Sequence, residues 1–132
     1  MAIAYWCVLI AALLPYVWVS IAKASGQRYN NRDPRGWLAK QENPRSTRAN
    51  GAQLNAFEAF PAFAAGVLMA QLAGVEPGRI GGWAVAFVAF RILHGVFYLS
   101  DHHYVRSLVW FAGFFCVLAL MAQAAMRVIV TA

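Results

Sequence analysis

The chain has 132 residues, of which 61% are hydrophobic and only 12% are charged, and its net charge is +6. The apolar fraction is well above the roughly 45–50% of soluble domains, which argues against a soluble protein. Four apolar runs approach or exceed the ~20 residues with which a helix crosses hydrocarbon. They predict an all-α integral membrane fold, a four-transmembrane-helix bundle in a single domain over 1–132. The runs are Ala2–Ala22, Ala49–Val75, Ile80–Leu99 and Val105–Ala132.

The first helix is predicted over residues 2–24. The sequence "AKAS" at Ala22–Ser25 resembles a signal-peptide cleavage site. However, no positive charge precedes the apolar run, and the run contains Pro15 and two tryptophans. These features are not typical of a cleaved signal peptide, so we expect this helix to be retained as a membrane span.

The segment 25–45 is rich in Arg, Asn and Pro, and we predict a loop that is too polar to insert. Basic residues concentrate in and around it, and the positive-inside rule therefore predicts a cytoplasmic loop with both termini on the opposite side. The expected location is a bacterial inner membrane. A basic patch beside a membrane is expected to orient the protein or meet anionic headgroups rather than nucleic acid. Seven of the eleven Lys and Arg are involved: Lys23, Arg28, Arg32, Arg35, Lys40, Arg45 and Arg48.

The second helix, predicted over 46–73, carries unusually many polar side chains into its apolar run, and such residues usually mark function in a membrane. Three of them share one stripe, whereas Gln53 lies about 200° around the helix from Asn55. A helix that is polar on both flanks needs two neighbours, one from its own chain and one that a second subunit could supply. The polar residues are Arg48, Asn50, Gln53, Asn55 and Glu58.

The third and fourth helices are predicted over 79–100 and 104–130, and their short connections make them antiparallel neighbours. On the third helix Arg91, His94 and Tyr98 form one stripe. Glu58 and Arg91 lie at similar depths of about 18 and 14 Å. They could therefore neutralise each other as a structural tie, or belong to a polar pocket that opens to the cytoplasmic side.

Two stretches resemble the signatures of the MAPEG family, the membrane-associated proteins of eicosanoid and glutathione metabolism. "RANGAQLNAFEAFP" resembles the helix-two signature through Arg48, Ala52-Gln53, Asn55, Glu58 and Pro61. "RILHGVFYLSDHHYVRSLVW" resembles the second signature through Arg91, His94, Tyr98 and Arg106. Both stretches stand in the right order on the right helices, so the resemblance covers nearly the whole chain.

The resemblance implies a homotrimer in the lipid bilayer, with glutathione as co-substrate between subunits and no metal. Arg106 matches the arginine that the family places against the sulfur. The implied activity is that of a glutathione transferase or peroxidase, whose thiolate attacks hydrophobic electrophiles or lipid hydroperoxides. By the resemblance, Gln53, Asn55 and Glu58 would hold the amino and amide groups of glutathione. Its carboxylates would be held, or the site oriented, by Arg48, Arg91 and Tyr98. His94 takes the place of the first aromatic residue of the second signature.

Two departures from the family pattern bear on activity. Gly51 stands where eicosanoid synthases of the family carry Arg, and Ala59 stands where they carry Tyr. We therefore expect a broader transferase or peroxidase rather than a leukotriene-type synthase. The alternative is a non-catalytic scaffold that binds a lipid or a partner protein at the same groove. A small multidrug exporter would need an acidic residue in the first helix, which has none.

Overall fold

The computed structural model describes residues 1–132 and contains five α-helices joined by short segments. The four long helices pack side by side, with α1 on one side of the α3–α4 pair and α5 on the other. Each long helix begins and ends within two residues of the bounds expected from the sequence. The helices are α1 (Ala2–Ala24), α2 (Pro34–Ala39), α3 (Pro44–Leu72), α4 (Pro77–Leu99) and α5 (His103–Thr131).

Side-chain caps fix where the two middle helices begin. The Asn43 carboxamide oxygen accepts hydrogen bonds from the backbone N–H groups of Arg45 and Ser46 at 3.0 and 3.3 Å. The Glu76 carboxylate does the same at the start of α4, and a proline follows each cap. Caps of this kind satisfy backbone donors that have no partner within the helix, and proline is preorganised for the first helical position.

The segment predicted as a loop over 25–45 contains the helix α2, so the prediction was wrong in this part. Asp33 caps α2 and Pro34 opens it. The buried Trp37 anchors it, because its indole N–H donates to the Arg28 carbonyl oxygen at 2.9 Å. The Tyr29 ring packs edge-on against Trp37 at 5.2 Å between centroids. The contacts of Trp37 thus order a segment whose composition is mostly polar.

Three helices, α1, α4 and α5, are long and apolar enough to cross a membrane. The helix α3 is as long as α5, at 29 residues. The polar side chains noted above lie in its first half, and they lower the mean hydropathy of the helix. The sequence-based prediction of an all-helical membrane fold is confirmed for these three spans. A membrane crossing by α3 remains a prediction.

Small side chains allow the long helices to approach closely. Ala4, Ala70 and Ala84 are fully buried where α1, α3 and α4 meet. Where α1 crosses α4, Gly95 faces the indole of Trp18, and a Cβ at Gly95 would lie within 2.0 Å of that ring. The rings of Phe63 and Phe87 stack at 3.9 Å between centroids and fill the space between α3 and α4. Phe63, Gly66, Val67 and Ala70 of α3 therefore lie in an apolar core, whereas Leu68 and Met69 on the other face are exposed.

Candidate functional site

The guanidinium of Arg91 is the most deeply buried cation of the bundle, with 4% of the residue exposed. Its Nη2 donates to the Asn55 Oδ1 at 2.7 Å. Of the two alternatives for Glu58 and Arg91, the structural tie is not formed, because no ion pair joins the two residues and the only ion pair is Arg48–Asp101. Asn55 lies nearly one turn before Glu58 on α3, and its amide satisfies one guanidinium donor. The Glu58 carboxylate is left free.

A cavity of about 290 Å³ lies between α3, α4 and α5 beside the Asn55–Arg91 hydrogen bond. We call it the inner cavity. One end of it is polar, and the remaining wall is aromatic and aliphatic. Its lining consists of Asn55, Glu58, Ala59, Ala62, Phe87, Arg91, Trp110, Phe114 and Val117. A carboxylate, a guanidinium and an apolar wall thus border one space.

A second cavity, of about 240 Å³, adjoins the first and shares Asn55 and Trp110 with it. We call it the outer cavity. It is the more polar of the two and lies nearer the ends of α4 and the start of α5. Its lining consists of Asn55, His94, Tyr98, Arg106, Ser107, Trp110 and Phe111.

Arg106 and Tyr98 are held against each other at this outer cavity. The Arg106 guanidinium lies 4.4 Å from the centroid of the Tyr98 ring, in a cation–π contact. The Tyr98 hydroxyl in turn lies against α3 at Gly51, where a Cβ would come within 2.5 Å of it. Gly51, one departure from the synthase pattern, is therefore what lets Tyr98 approach α3 and support Arg106.

Two buried polar atoms on either flank of α3 have no hydrogen-bond partner. His94 is 3% exposed, and its Nδ1 is unpartnered although its ring lines the outer cavity. The Oε1 of Gln53 is also buried without a partner, on the other flank of α3. Buried polar atoms are almost always hydrogen-bonded. Because both atoms are buried within the chain, each leaves a hydrogen-bonding group of the bundle unsatisfied.

A family model covers nearly the whole chain. The model of the MAPEG family matches residues 3–126, a range that covers α3 and α4 completely, nearly all of α1, most of α5 and both polar stretches. The chain belongs to the MAPEG family. No curated protein and no solved structure matches it. Membership of this family and three apolar helices make it a multi-pass integral membrane protein.

The structure brings most of the residues expected at a MAPEG site together, but not all of them. Asn55, Glu58, Arg91, His94, Tyr98 and Arg106 line the two adjoining cavities. Two expected residues lie elsewhere. Arg48 pairs with Asp101 at 3.1 Å on the surface where α4 turns into α5, and Gln53 lines neither cavity. Neither side chain lines the inner or the outer cavity of its own chain.

Residues of α5 that the sequence analysis passed over complete the lining. Trp110, Phe114 and Val117 follow Arg106 at steps of three or four residues, the spacing of one helix face, and all three line the inner cavity. The same spacing was visible in the sequence. Because α5 is apolar on nearly every face, its inward face could not be identified before its packing against α3 and α4 was known.

Metal chemistry has no obvious site in this chain. No three His, Cys, Asp or Glu side chains come together as a group that could hold a metal ion. Cys7 and Cys116 are free and buried in the apolar core. The polar groups of the two cavities suit an organic ligand with both charges better than a cation.

Proposed function

We propose that this protein is a membrane-embedded glutathione transferase with peroxidase capacity, which activates the glutathione thiol for attack on hydrophobic electrophiles or lipid hydroperoxides. One observation carries the proposal: Arg106, Tyr98 and His94 line a cavity that adjoins a second one bordered by Glu58 and Arg91. Membership of the MAPEG family supports it.

The charges around the cavities match those of glutathione, which has two carboxylates, one ammonium and one thiol. Arginine binds carboxylates with two parallel hydrogen bonds. Arg91 is already oriented by its hydrogen bond to Asn55, and the exposed carboxylate of Glu58 can accept from the ammonium. Arg106 then remains available to contact the glutathione sulfur.

Arg106 would act on the thiol electrostatically. A thiol with an ordinary pKa near 8.5 is mostly protonated at neutral pH. Lowering that pKa by about two units requires about 2.7 kcal/mol of preferential thiolate stabilisation, which a guanidinium at a partly desolvated position can provide. The Tyr98 ring, 4.4 Å from the guanidinium, would hold it in place. In conjugation the thiolate sulfur forms a bond to an electrophilic carbon and the leaving group departs with its electron pair.

With a hydroperoxide the sulfur would attack the distal oxygen and break the O–O bond. The alcohol leaves after taking up a proton, and glutathione is oxidised to its sulfenic acid. A second glutathione then displaces water from that sulfur and forms the disulfide. The apolar wall of the inner cavity, with Phe87, Trp110 and Phe114, favours an electrophile that arrives from the bilayer. Ala59 leaves this wall open where synthases of the family carry a tyrosine.

We further propose a homotrimer in which α3 is a fourth membrane span and the glutathione site lies between subunits. Gln53 lines neither of the two cavities, and its buried Oε1 has no partner within its own chain, which supports a polar demand on this flank of α3. A neighbouring subunit could then bring its own Arg48 or Gln53 to a site that one chain leaves incomplete. We place the basic segment 25–45 in the cytoplasm and both termini on the opposite side of a bacterial inner membrane, following the positive-inside rule.

Isothermal titration of detergent-solubilised protein with glutathione tests the proposal, together with thiol-dependent turnover of a nitrobenzene electrophile. We expect saturable binding and turnover in the wild type, and binding with greatly reduced turnover in Arg106→Ala. Absence of glutathione binding at millimolar ligand would refute the proposal. Chemical cross-linking of the same preparation gives the subunit number, and a monomer would refute the intersubunit site.

A non-catalytic scaffold is the second candidate, and Gly51 and Ala59 favour it because both replace larger side chains at the groove. Such a scaffold would bind a lipid or a partner protein through the inner cavity. Thiol-dependent turnover distinguishes the two candidates. A scaffold has no such turnover for Arg106→Ala to remove, although it still binds its lipid.

A further inference from the structure

The end of the bundle opposite the candidate site has a large open cavity of its own. It measures about 810 Å³ and lies where α3 ends, α4 begins and α5 ends. We call it the distal cavity. Its lining consists of Gly74, Val75, Glu76, Arg79, Gln123, Met126, Arg127 and Val130. None of these residues lines the inner or the outer cavity.

Two arginines line the distal cavity, and no other Lys or Arg of the chain lies at this end of the bundle. Arg79 stands in the first turn of α4 and Arg127 in the last turns of α5. Neither forms an ion pair, since the only ion pair in the structure joins Arg48 to Asp101. Two like charges that share one cavity repel each other unless an anion lies between them.

The one carboxylate beside these arginines is committed to a helix start. Glu76 accepts hydrogen bonds from the backbone N–H groups of Gly78 and Arg79 at 2.7 and 2.9 Å. These bonds hold the pKa of Glu76 below its usual range, so the carboxylate stays ionised and oriented towards the backbone. Its hydrogen bonds go to the α4 backbone, and although its charge also acts on the neighbouring Arg79, it forms no ion pair with either guanidinium.

Apolar side chains surround the two arginines on the outer surface. Leu72 is 88% exposed and Ile129 is 75% exposed, while Met126 and Val130 are also exposed and line the cavity. An apolar surface at the end of membrane spans faces acyl chains, and cations at the same depth meet the headgroup layer. The distal cavity therefore places a cationic surface next to an apolar one, as the binding of an amphiphile requires.

We propose that the distal cavity binds the phosphate of an anionic phospholipid. Arg79 and Arg127 donate to the phosphate oxygens, and the acyl chains lie against Met126 and Val130. The cavity volume exceeds what a phosphate group needs and admits the glycerol portion as well. Guanidinium groups suit this task because they offer several donors in a planar arrangement that matches phosphate.

Native mass spectrometry of the full-length protein in detergent tests this proposal, with phosphatidylglycerol, phosphatidylcholine or inorganic phosphate added in turn. The test variant is Arg79→Gln with Arg127→Gln. Its matched control is Arg32→Gln with Arg35→Gln, which removes the same charge from two exposed residues at the other end. A third variant, Arg79→Lys with Arg127→Lys, keeps the charge. Circular dichroism verifies that each variant is folded.

We expect the wild type to retain phosphatidylglycerol in preference to phosphatidylcholine. The test variant should bind phosphatidylglycerol about thirtyfold more weakly, at about 1 kcal/mol for each arginine removed. The control residues belong to the basic segment that meets headgroups in general but do not line the distal cavity. The control should therefore lose less affinity than the test variant, and the lysine variant should keep most of the affinity. Glutathione titration should be unchanged in the test variant, because the two sites lie at opposite ends of the bundle.

Three results would overturn the proposal. The first is equal retention of the two lipids by the wild type, as expected if a neighbouring subunit covers the two arginines. The second is an equal loss of lipid in the test variant and its control, which would reveal a general charge effect. The third is equally tight binding of inorganic phosphate, which would mean that the site does not recognise a lipid.

Discussion

The two halves of the bundle are built from the same four long helices but are packed in opposite ways. In the apolar half, fully buried side chains such as Phe63, Val67 and Ile80 fill the space between helices. In the polar half, Arg91 and His94 are just as buried but border cavities, and His94 keeps an unpartnered nitrogen. Small and aliphatic residues close the gaps of one half, whereas long polar residues leave gaps in the other. Inside the bundle, the difference separates the region that holds the helices together from the region that can receive a ligand, and the distal cavity lies beyond the packed half at the helix ends.

The largest expected effect comes from removing the guanidinium of Arg106, which lies in the polar half. Arg106→Ala should reduce thiol-dependent turnover about a thousandfold, the upper end of what one electrostatic group contributes. The midpoint of thermal unfolding should stay within a few degrees, since Arg106 contacts mainly the Tyr98 ring. Steady-state turnover and thermal unfolding in detergent measure both. Arg35→Ala, which removes an exposed arginine of α2, should leave turnover unchanged.

Truncating the Phe63 ring, which stacks on Phe87 in the apolar half, should have the opposite effect, a loss of stability rather than of turnover. Phe63→Ala should lower the free energy of unfolding by about 3 kcal/mol, because it leaves a cavity beside Phe87. Phe115→Ala removes the same ring from a position that is 61% exposed and should cost less than about 1 kcal/mol. Equal losses in the two variants, measured by denaturant titration, would show that Phe63 is no more tightly packed than a lipid-facing side chain.

The hydrogen bond between Asn55 and Arg91 joins α3 to α4 within the polar half, and a double-mutant cycle can measure its contribution. Asn55→Leu should cost about 2 kcal/mol of unfolding free energy, because it leaves a buried guanidinium without its partner. In an Arg91→Met background the same change should cost less than half as much. Additive losses would mean that the 2.7 Å contact does not stabilise the protein.

Gly51 offers a smaller effect that separates activity from stability. Gly51→Ala should reduce turnover roughly tenfold, because the new Cβ displaces Tyr98 and with it Arg106. Helix propensity alone should raise stability by up to about 1 kcal/mol. Gly82→Ala is the matched control, since a Cβ there meets nothing within 4 Å. If Gly51→Ala retains full turnover, Tyr98 does not position Arg106.

The smallest effect is expected at the surface ion pair. Asp101→Asn keeps a residue that tolerates the left-handed backbone at φ 62° and removes only the charge. The Arg48–Asp101 pair is exposed, so its loss should cost less than about 1 kcal/mol, and the cost should fall in high salt. Thermal unfolding at low and high salt measures this. A loss that does not change with salt would indicate a role beyond the ion pair.

Several features of the fold follow from local sequence alone. The lengths of the apolar runs, the prolines after Asn43 and Glu76, and the turn at Gly74 set the long helices, because each depends on neighbouring residues. The helix α2 was missed because its stability comes from a contact between Trp37 and a backbone carbonyl nine residues earlier. That contact lies outside any local pattern.

The sequence by itself determined the four long helices, the MAPEG resemblance and which polar side chains enter the apolar helices, since period and spacing encode them directly. Only the tertiary structure decided which of these side chains meet. Arg91 is hydrogen-bonded to Asn55 rather than paired with Glu58. Arg48 forms its ion pair with Asp101, and Trp110 lines both cavities. Helical phase gives the direction of a side chain to within tens of degrees, whereas a hydrogen bond requires placement within a few tenths of an ångström. That precision comes from how α3, α4 and α5 pack.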